Sequence, residues 1–450
     1  MSRRALWGPG CRPLLEKIIP YALEKVDPRR LITDNLRLEK NRLHIKDRRF
    51  DLDRFDKLHV IGAGKGAPFL FEGLDNLLGS RIGGGIIVSL EEHAFVHDRV
   101  EFHAGSHPIP DRRSLEAGQA VSRYIETRVG ERDLVFFLIT GGASAVMVQP
   151  VPGIELEDKV EMNRLLLASG AEIEEINCVR KHMSALKGGK LAQLVYPARL
   201  ISLILSDIVD SPLGAIGSGP SIPDAAPLSG AADVLRKYDL MDKLRPALRD
   251  FFRQPDKETN ASPGKDLTGN VHFLVGDNRA ALGAARERAE AMGIRAHILT
   301  AGDKGEASEA AKIYAAVVKE IIYNGNPFKP PVLLLSGGEL TVTLKPPPGQ
   351  EPGKGGRNQA FALYMLKELQ HVAHPFCVVS VGTDGLDGLT DAAGARIDDE
   401  TIRKVNERGL DMNHYLRNYD SYHFFQQIDQ LIKTGPTRTN VMDLRMFYIL

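Results

Sequence analysis

Short apolar and β-branched runs recur along the chain, with longer amphipathic stretches between them: Leu58 to Ile61, Gly85 to Ser89, Leu134 to Ile139, Leu200 to Leu205, His272 to Val275, Val332 to Ser336 and Cys377 to Val381. Runs this short and this continuously apolar read as strands buried on both faces. Their alternation with helical patterns predicts an α/β fold with mostly parallel sheets. Several of the runs end directly in Gly, Ser, Thr or Asp. Open α/β sheets bind ligands beyond the carboxyl ends of their strands, so these polar endings are where chemistry is to be sought. A polar stretch from Gln254 to Asn270 breaks the alternation with turn formers and no apolar periodicity. It suggests a larger N-terminal domain (1–255), a linker (256–270) and a smaller C-terminal domain (271–450).

Composition narrows the function classes. The 450 residues suffice for two or three domains, each with a real core. Lys plus Arg and Asp plus Glu both number 58, so the net charge is zero. No field of one sign is available to hold nucleic acid or an anionic membrane, and any anion must be bound by a local site. No apolar window is long enough to span a bilayer. The three cysteines, Cys11, Cys178 and Cys377, are odd in number and far apart, which predicts no disulfide framework and a reducing compartment. Arg3 and Arg4 are not followed by an apolar segment, so the expected location is the cytoplasm.

Four stretches could carry chemistry. In Val60 to Ala67 (VIGAGKGA) a strand breaks into glycines ahead of a helix, and Gly62, Gly64 and Ala67 satisfy the dinucleotide pattern GxGxxG/A. The following strand has its acids late, at Glu91 and Glu92, and Lys65 within the loop suits phosphoryl oxygens better. Thr140 to Ser144 (TGGAS) and Ser336 to Glu339 (SGGE) are strand-end glycine turns carrying a hydroxyl, suited to oxyanions through Gly141, Gly142, Ser144, Gly337, Gly338 and Glu339. Helical spacing places Asn177, Arg180, Lys181, Ser184 and Lys187 on one stripe rich in positive charge, and Gly217-Ser218-Gly219 is a further anion turn. The last stretch pairs Arg357-Asn358, after two glycines, with the carboxylates Asp384, Asp387 and Asp391, an oxygen-only set of the kind Mg²⁺ with phosphate ligands uses. His107 is an acid or base without an obvious partner. Gly349 to Lys354 falls one residue short of a P-loop, and no HExxH or GxSxG occurs.

Taken in order, VIGAGKGA, SHPIPD (106–111), TGGASAV (140–146), NCVRKHMSALKGGKLA (177–192), 206–224, SGGELTV (336–342), GGRNQ (355–359), TDGLDGLTDAAG (383–394) and GPTRTNVMDL (435–444) resemble the glycerate 2-kinase family over roughly residues 10 to 450. The resemblance implies a Rossmann-like three-layer N-terminal domain, a C-terminal α/β domain called MOFRL, and an active site in the cleft between them. It also implies phosphorylation of the 2-hydroxyl of D-glycerate by ATP and Mg²⁺ to give 2-phosphoglycerate. Carried over by residue, it casts Lys65 and Arg357 as the catalytic cations and Asp207 as the group that takes or orients the hydroxyl proton. Asp384 and Asp387 are then nearest Mg²⁺. Gly62, Gly64, Gly141, Gly142, Ser144, Asn177, Arg180, Lys181, Ser218, Gly337, Gly338, Glu339 and Asn358 surround the nucleotide and substrate. The partners are small molecules, and a homodimer is compatible with the resemblance. Two positions depart from the family pattern: Ala143 replaces a glycine of SGGGSAL, and Arg438 the glycine of GPTGTN. Some members carry the name hydroxypyruvate reductase, so an NAD(P)H-dependent reductase using the Gly62 turn is the alternative. A sugar-acid sensor lacks any nucleic-acid-reading element to support it.

Overall fold

The computed structural model describes residues 11–254, 266–346 and 349–450. The chain divides into two compact units. The first comprises Pro28–Ser206 and Ser211–Val275, the second Met1–Asp27, Asp207–Asp210 and Gly276–Leu450. These limits differ from those expected. The segment ending at Asp27 groups with the C-terminal half, as does Asp207–Asp210, and the chain expected to open the C-terminal domain instead adds a strand to the first unit's sheet. Of the expected linker, 256–265 lies outside the described residues.

In the first unit, β1 (Leu36–Glu39), β2 (Arg42–Ile45) and β3 (Arg48–Asp51) form a small antiparallel sheet. The main sheet uses β4 (Leu58–Ala63), β5 (Ile82–Ser89), β6 (Val100–Ala104), β7 (Leu134–Ile139), β8 (Arg199–Leu205) and β9 (Val271–Gly276), in the order β6-β5-β4-β7-β8-β9. Pairing is parallel from β6 through β8. Every residue of the central strands β4 and β7 is buried, as a parallel sheet covered on both faces requires. Both strands end in the glycine turns of interest, which therefore lie side by side at the sheet's carboxyl edge. Gly64 shows how closely they pack. Its φ is +119°, and a Cβ there would stand 2.4 Å from the Thr140 Oγ1 and 2.5 Å from the Thr140 carbonyl oxygen. Only glycine fits.

The second unit holds β10 (Ala296–Asp303), β11 (Val332–Gly338), β12 (Phe376–Gly382), β13 (Gly394–Asp398), β14 (Leu431–Ile432) and β15 (Asp443–Ile449), in the order β10-β11-β15-β12-β13-β14. β15, near the chain's end, is inserted between β11 and β12 and antiparallel to both, and all its residues are buried. Tyr314, Phe361 and Phe447 form the aromatic centre of this unit's core.

Cys11 and Cys377 are joined by a disulfide, with Cα atoms 5.3 Å apart across 366 positions of sequence. The expectation of unpaired thiols is thereby corrected: the separation in sequence hid a contact made by the fold, and with it goes the cysteine argument for a reducing compartment. Among the described residues, no helix is long and apolar enough to cross a membrane.

Candidate active site

The turn after β4 does not offer what its sequence promises. The Gly64 N–H donates to the Val88 carbonyl, that of Lys65 to the Gly141 carbonyl at 2.9 Å, that of Gly66 to the Thr140 Oγ1 at 2.9 Å, and that of Ala67 to the Gly64 carbonyl. Pro68 has no N–H to give. The helix Ala67–Leu78 thus begins with its donors already satisfied, and Gly62 and Gly64 act by letting β4 pack against β5 and β7. Glu91, late for a ribose-binding acid, is paired with Arg113 at 2.9 Å. What the turn does project is the Lys65 side chain, which hydrogen-bonds to no described residue.

The adjacent turn after β7 has the donors. Gly142 is left-handed at φ +83°, and the N–H groups of Gly141, Gly142 and Ser144 have no acceptor among the described residues. Such a turn is a concavity of unpaired N–H groups suited to an oxyanion. Lys65 and His107 flank it, since a Cβ on Gly142 would lie 3.2 Å from the Lys65 Cγ and 3.1 Å from the His107 Cδ2. Ala143 is buried with a negative φ, so the family's glycine is not needed there. Ser144 accepts from the Lys187 Nζ through its Oγ at 2.6 Å and its carbonyl at 2.8 Å. Its Oγ is also 3.3 Å from that of Ser218, which donates to the Asn177 Oδ1 at 3.0 Å. Ser218 itself sits at φ +61° between two left-handed glycines, a strained backbone of the kind found at functional sites. Arg180 lies nearby, its Nε donating to the Asn163 Oδ1 at 2.7 Å. Lys181 is already paired with Asp224 at 2.7 Å, which removes it from the cations available to a ligand.

His107 reports on this charge. Burial, reinforced by the neighbouring Lys65, lowers its pKa to about 4. Because the folded value lies below the ordinary one, the imidazole stays neutral in the native state through the mildly acidic range. Its contribution to stability is therefore fully present above pH 6.5 and is lost as pH falls toward 4. An NMR titration should place the His107 midpoint near 4, with Lys65→Met moving it upward. A midpoint near 6.5 would contradict the arrangement.

The second unit gathers carboxylates around arginines. Arg357, the first residue of the helix Arg357–Leu369, grips Asp443 with Nε at 2.8 Å and Nη2 at 2.9 Å, and reaches Glu339 with Nη1 at 3.0 Å. Burial alone would lower its pKa, but Asp443 and Glu339 more than reverse this, and it stays charged. Asp443 also accepts from the Arg445 Nη2 at 2.8 Å and the Asn358 Nδ2 at 2.9 Å, while the Arg445 Nη1 binds Asp303 at 3.0 Å. Asp443 and Arg445 are both fully buried. Glu339 has its pKa raised, first by burial against the pull of Arg357 and further by Asp443, Asp207 and Asp384. Asp207 and Asp384 therefore belong to the same acidic group.

Three of the residues expected here play other parts. Asp387 accepts from the backbone N–H groups of Asn358 and Gln359 at 3.0 and 2.8 Å, so it caps the helix that Arg357 opens. Burial pushes its carboxyl up to about 6 despite those bonds, and with both oxygens engaged it does not fit a metal ligand. Asn358, fully buried between Asp387, Asp443 and Ser380, orients the network and does not reach solvent. Gly337 is required by packing, because a Cβ there would fall 1.9 Å from the Asn278 Oδ1. Among the described residues no three His, Cys, Asp or Glu side chains form a cage for a metal. Asp384 accepts the Leu386 N–H at 3.1 Å through Oδ1, and a Mg²⁺ held mainly by phosphate and water needs only one or two carboxylates from a protein. A pocket of about 560 Å³ in this unit, lined by Leu15, Leu23, Arg396, Ile432 and Thr437 among others, includes none of the expected site residues.

Sequence reasoning passed over Asp443, Arg445 and Asp303, and did not select Lys187 from its stripe. The signal for the first two was present as charges inside the terminal apolar run DLRMFYI, where an ion pair must be buried if the run is a central strand.

Two family models match the chain: a domain of unknown function, DUF4147, over residues 14–253, and the MOFRL family over residues 332–443. A glycerate 2-kinase of Pyrococcus horikoshii is 35% identical over 427 residues, covering 94% of each chain. The chain belongs to the glycerate kinase family. A solved structure of a glycerate kinase from Thermotoga maritima superposes with a TM-score of 0.84 at 32% identity, covering 98% of this chain and 99% of that one. A protein of Agrobacterium vitis named putative hydroxypyruvate reductase is 36% identical, covering 87% of this chain and 98% of its own. Membership of the glycerate kinase family makes the protein a phosphotransferase with a hydroxyl acceptor.

Proposed function

We propose that the protein is an ATP-dependent glycerate 2-kinase, moving the γ-phosphoryl group of ATP to the 2-hydroxyl of D-glycerate and releasing 2-phosphoglycerate and ADP. The observation that carries this reading is the turn Gly141–Ser144, with unpaired N–H groups beside the Lys65 side chain. Phosphoryl transfer asks the protein for position and positive charge more than for covalent chemistry, and this turn supplies both. Lys65 is assigned to the transferred phosphoryl group. Arg357, rigidly held by Asp443, is assigned to the second anion of the reaction, the glycerate carboxylate, for which a planar fork is the natural partner. Asp207, within the acidic group around Glu339, is assigned to the 2-hydroxyl proton. Mg²⁺, with Asp384 as its protein ligand, would neutralise charge on the phosphates. The reductase reading loses its motive, because the Gly62-x-Gly64 turn has no N–H left for a pyrophosphate and Glu91 is committed to Arg113. Incubation with Mg-ATP should release ADP only when D-glycerate is present, and hydroxypyruvate should not be reduced by NADH or NADPH. Reduction without ADP release would replace this function with the other.

A further inference from the structure

The first unit buries more positive charge than its carboxylates answer. Lys187 is 4% exposed, Lys159 5% and Lys190 9%. Lys187 feels Lys159 and Arg180, Lys159 feels Lys190 and Arg180, and no carboxylate acts on either lysine. The neighbouring acid, Asp224, is bound to Lys181 and reaches only Lys190 of the three. Burial, aided by this mutual repulsion, pushes Lys187 well below its ordinary pKa and Lys159 to about 7. A fold gains nothing from crowding desolvated ammonium groups, so their presence asks for an anion that is not part of the protein.

The geometry says where that anion sits. The Lys187 Nζ spends two of its three N–H groups on the carbonyl and Oγ of Ser144, which fixes the ammonium at the turn whose own N–H groups are unpaired. Ser144 accepts from Lys187 and gives its hydroxyl hydrogen to Ser218, so its backbone N–H is what it offers an anion. The Arg180 Nη1 and Nη2 have no acceptor among the described residues. The amount of charge decides what kind of anion it is. A multiply charged anion favours the charged forms of Lys187 and Lys159 that burial disfavours and pairs with Arg180 as well, more than the single charge of a carboxylate does.

We infer that Lys187, seated on Ser144, is a contact for the phosphate chain of the nucleotide, with Arg180 and Lys159 completing the charge of that seat. This rests on the kinase reading, but it is tested by binding, which requires neither glycerate nor transfer. The full-length protein is titrated with ATP and with inorganic tripolyphosphate by calorimetry, as wild type and as Lys187→Met, with thermal melting alongside. The variant should bind both probes about 30-fold more weakly, the loss expected of one charge-assisted contact. It should melt near the wild-type temperature, the two bonds lost at Ser144 being offset by removal of a buried amine whose charge is disfavoured. Lys187→Arg, which keeps the charge but not the fit on Ser144, should fall between the two. If Lys187→Met does not fold, Arg180→Gln carries the same test with a loss of about tenfold. Wild-type affinity in a folded variant would overturn the inference, as would a wild type that binds neither probe. Weakened D-glycerate binding with unchanged tripolyphosphate binding would also overturn it, placing the carboxylate there instead. Lys187-dependent binding of tripolyphosphate in a protein that phosphorylates no glycerate would uphold the phosphate seat and sink only the assigned acceptor.

Discussion

Asp443→Ala should lower the protein's unfolding free energy by about 3–5 kcal/mol, the range for leaving buried charges without their partner. Asp443 has no exposed surface and accepts two bonds from Arg357, one from Arg445 and one from Asn358. Removing it leaves the fully buried Arg445 with Asp303 as its one carboxylate and releases Arg357 from its two-pronged grip. The cost should be larger than for any exposed pair on the surface, such as Arg112 with Glu116, which would be worth less than about 1 kcal/mol. Asp443→Asn, which keeps the shape and loses the charge, should cost less than Asp443→Ala. Urea denaturation with m held constant measures both. A loss of less than about 1 kcal/mol for Asp443→Ala would mean the network does not hold the second unit as described.

Lys65→Ala should have the opposite profile. Its side chain hydrogen-bonds to no described residue, so truncation should change stability by no more than about 0.5 kcal/mol. Turnover should nevertheless fall by about 10³-fold, the order lost when a preorganised positive group is removed from a developing anionic charge. Arg357→Ala should lose turnover comparably but also some stability, because Asp443 is then left with Arg445 and Asn358 alone. The contrast separates a cation that serves only the reaction from one that also closes a buried network. Wild-type turnover in either variant would remove that residue from the mechanism.

The parallel sheet was legible because strands buried on both faces leave an unbroken apolar signature, and β4, β7 and β8 carry it without interruption. β15 was not read from the chain because Asp443 and Arg445 break its apolar run. Its burial depends on Arg357 and Asp303, which the fold brings from 86 and 142 positions away. The same distance effect hid the Cys11–Cys377 bond and the role of the segment ending at Asp27. In the site, spacing identified which turns stand at strand ends, but not which N–H groups remain unpaired there. The GAGKGA and TGGAS turns look alike as sequence. They differ because the first donates into the second and into β5, leaving the donors on the second turn. Likewise the stripe Asn177 to Lys187 was visible as a periodic charged face, yet only packing shows that Lys181 is spent on Asp224 while Lys187 is turned onto Ser144.

The central claim is tested most directly by phosphorus NMR of the purified protein with Mg-ATP and D-glycerate. The account predicts a new monoester resonance matching 2-phosphoglycerate, growing with ADP and absent when either substrate is withheld. Formation of 3-phosphoglycerate, or of no phosphate ester by a folded protein, would contradict it.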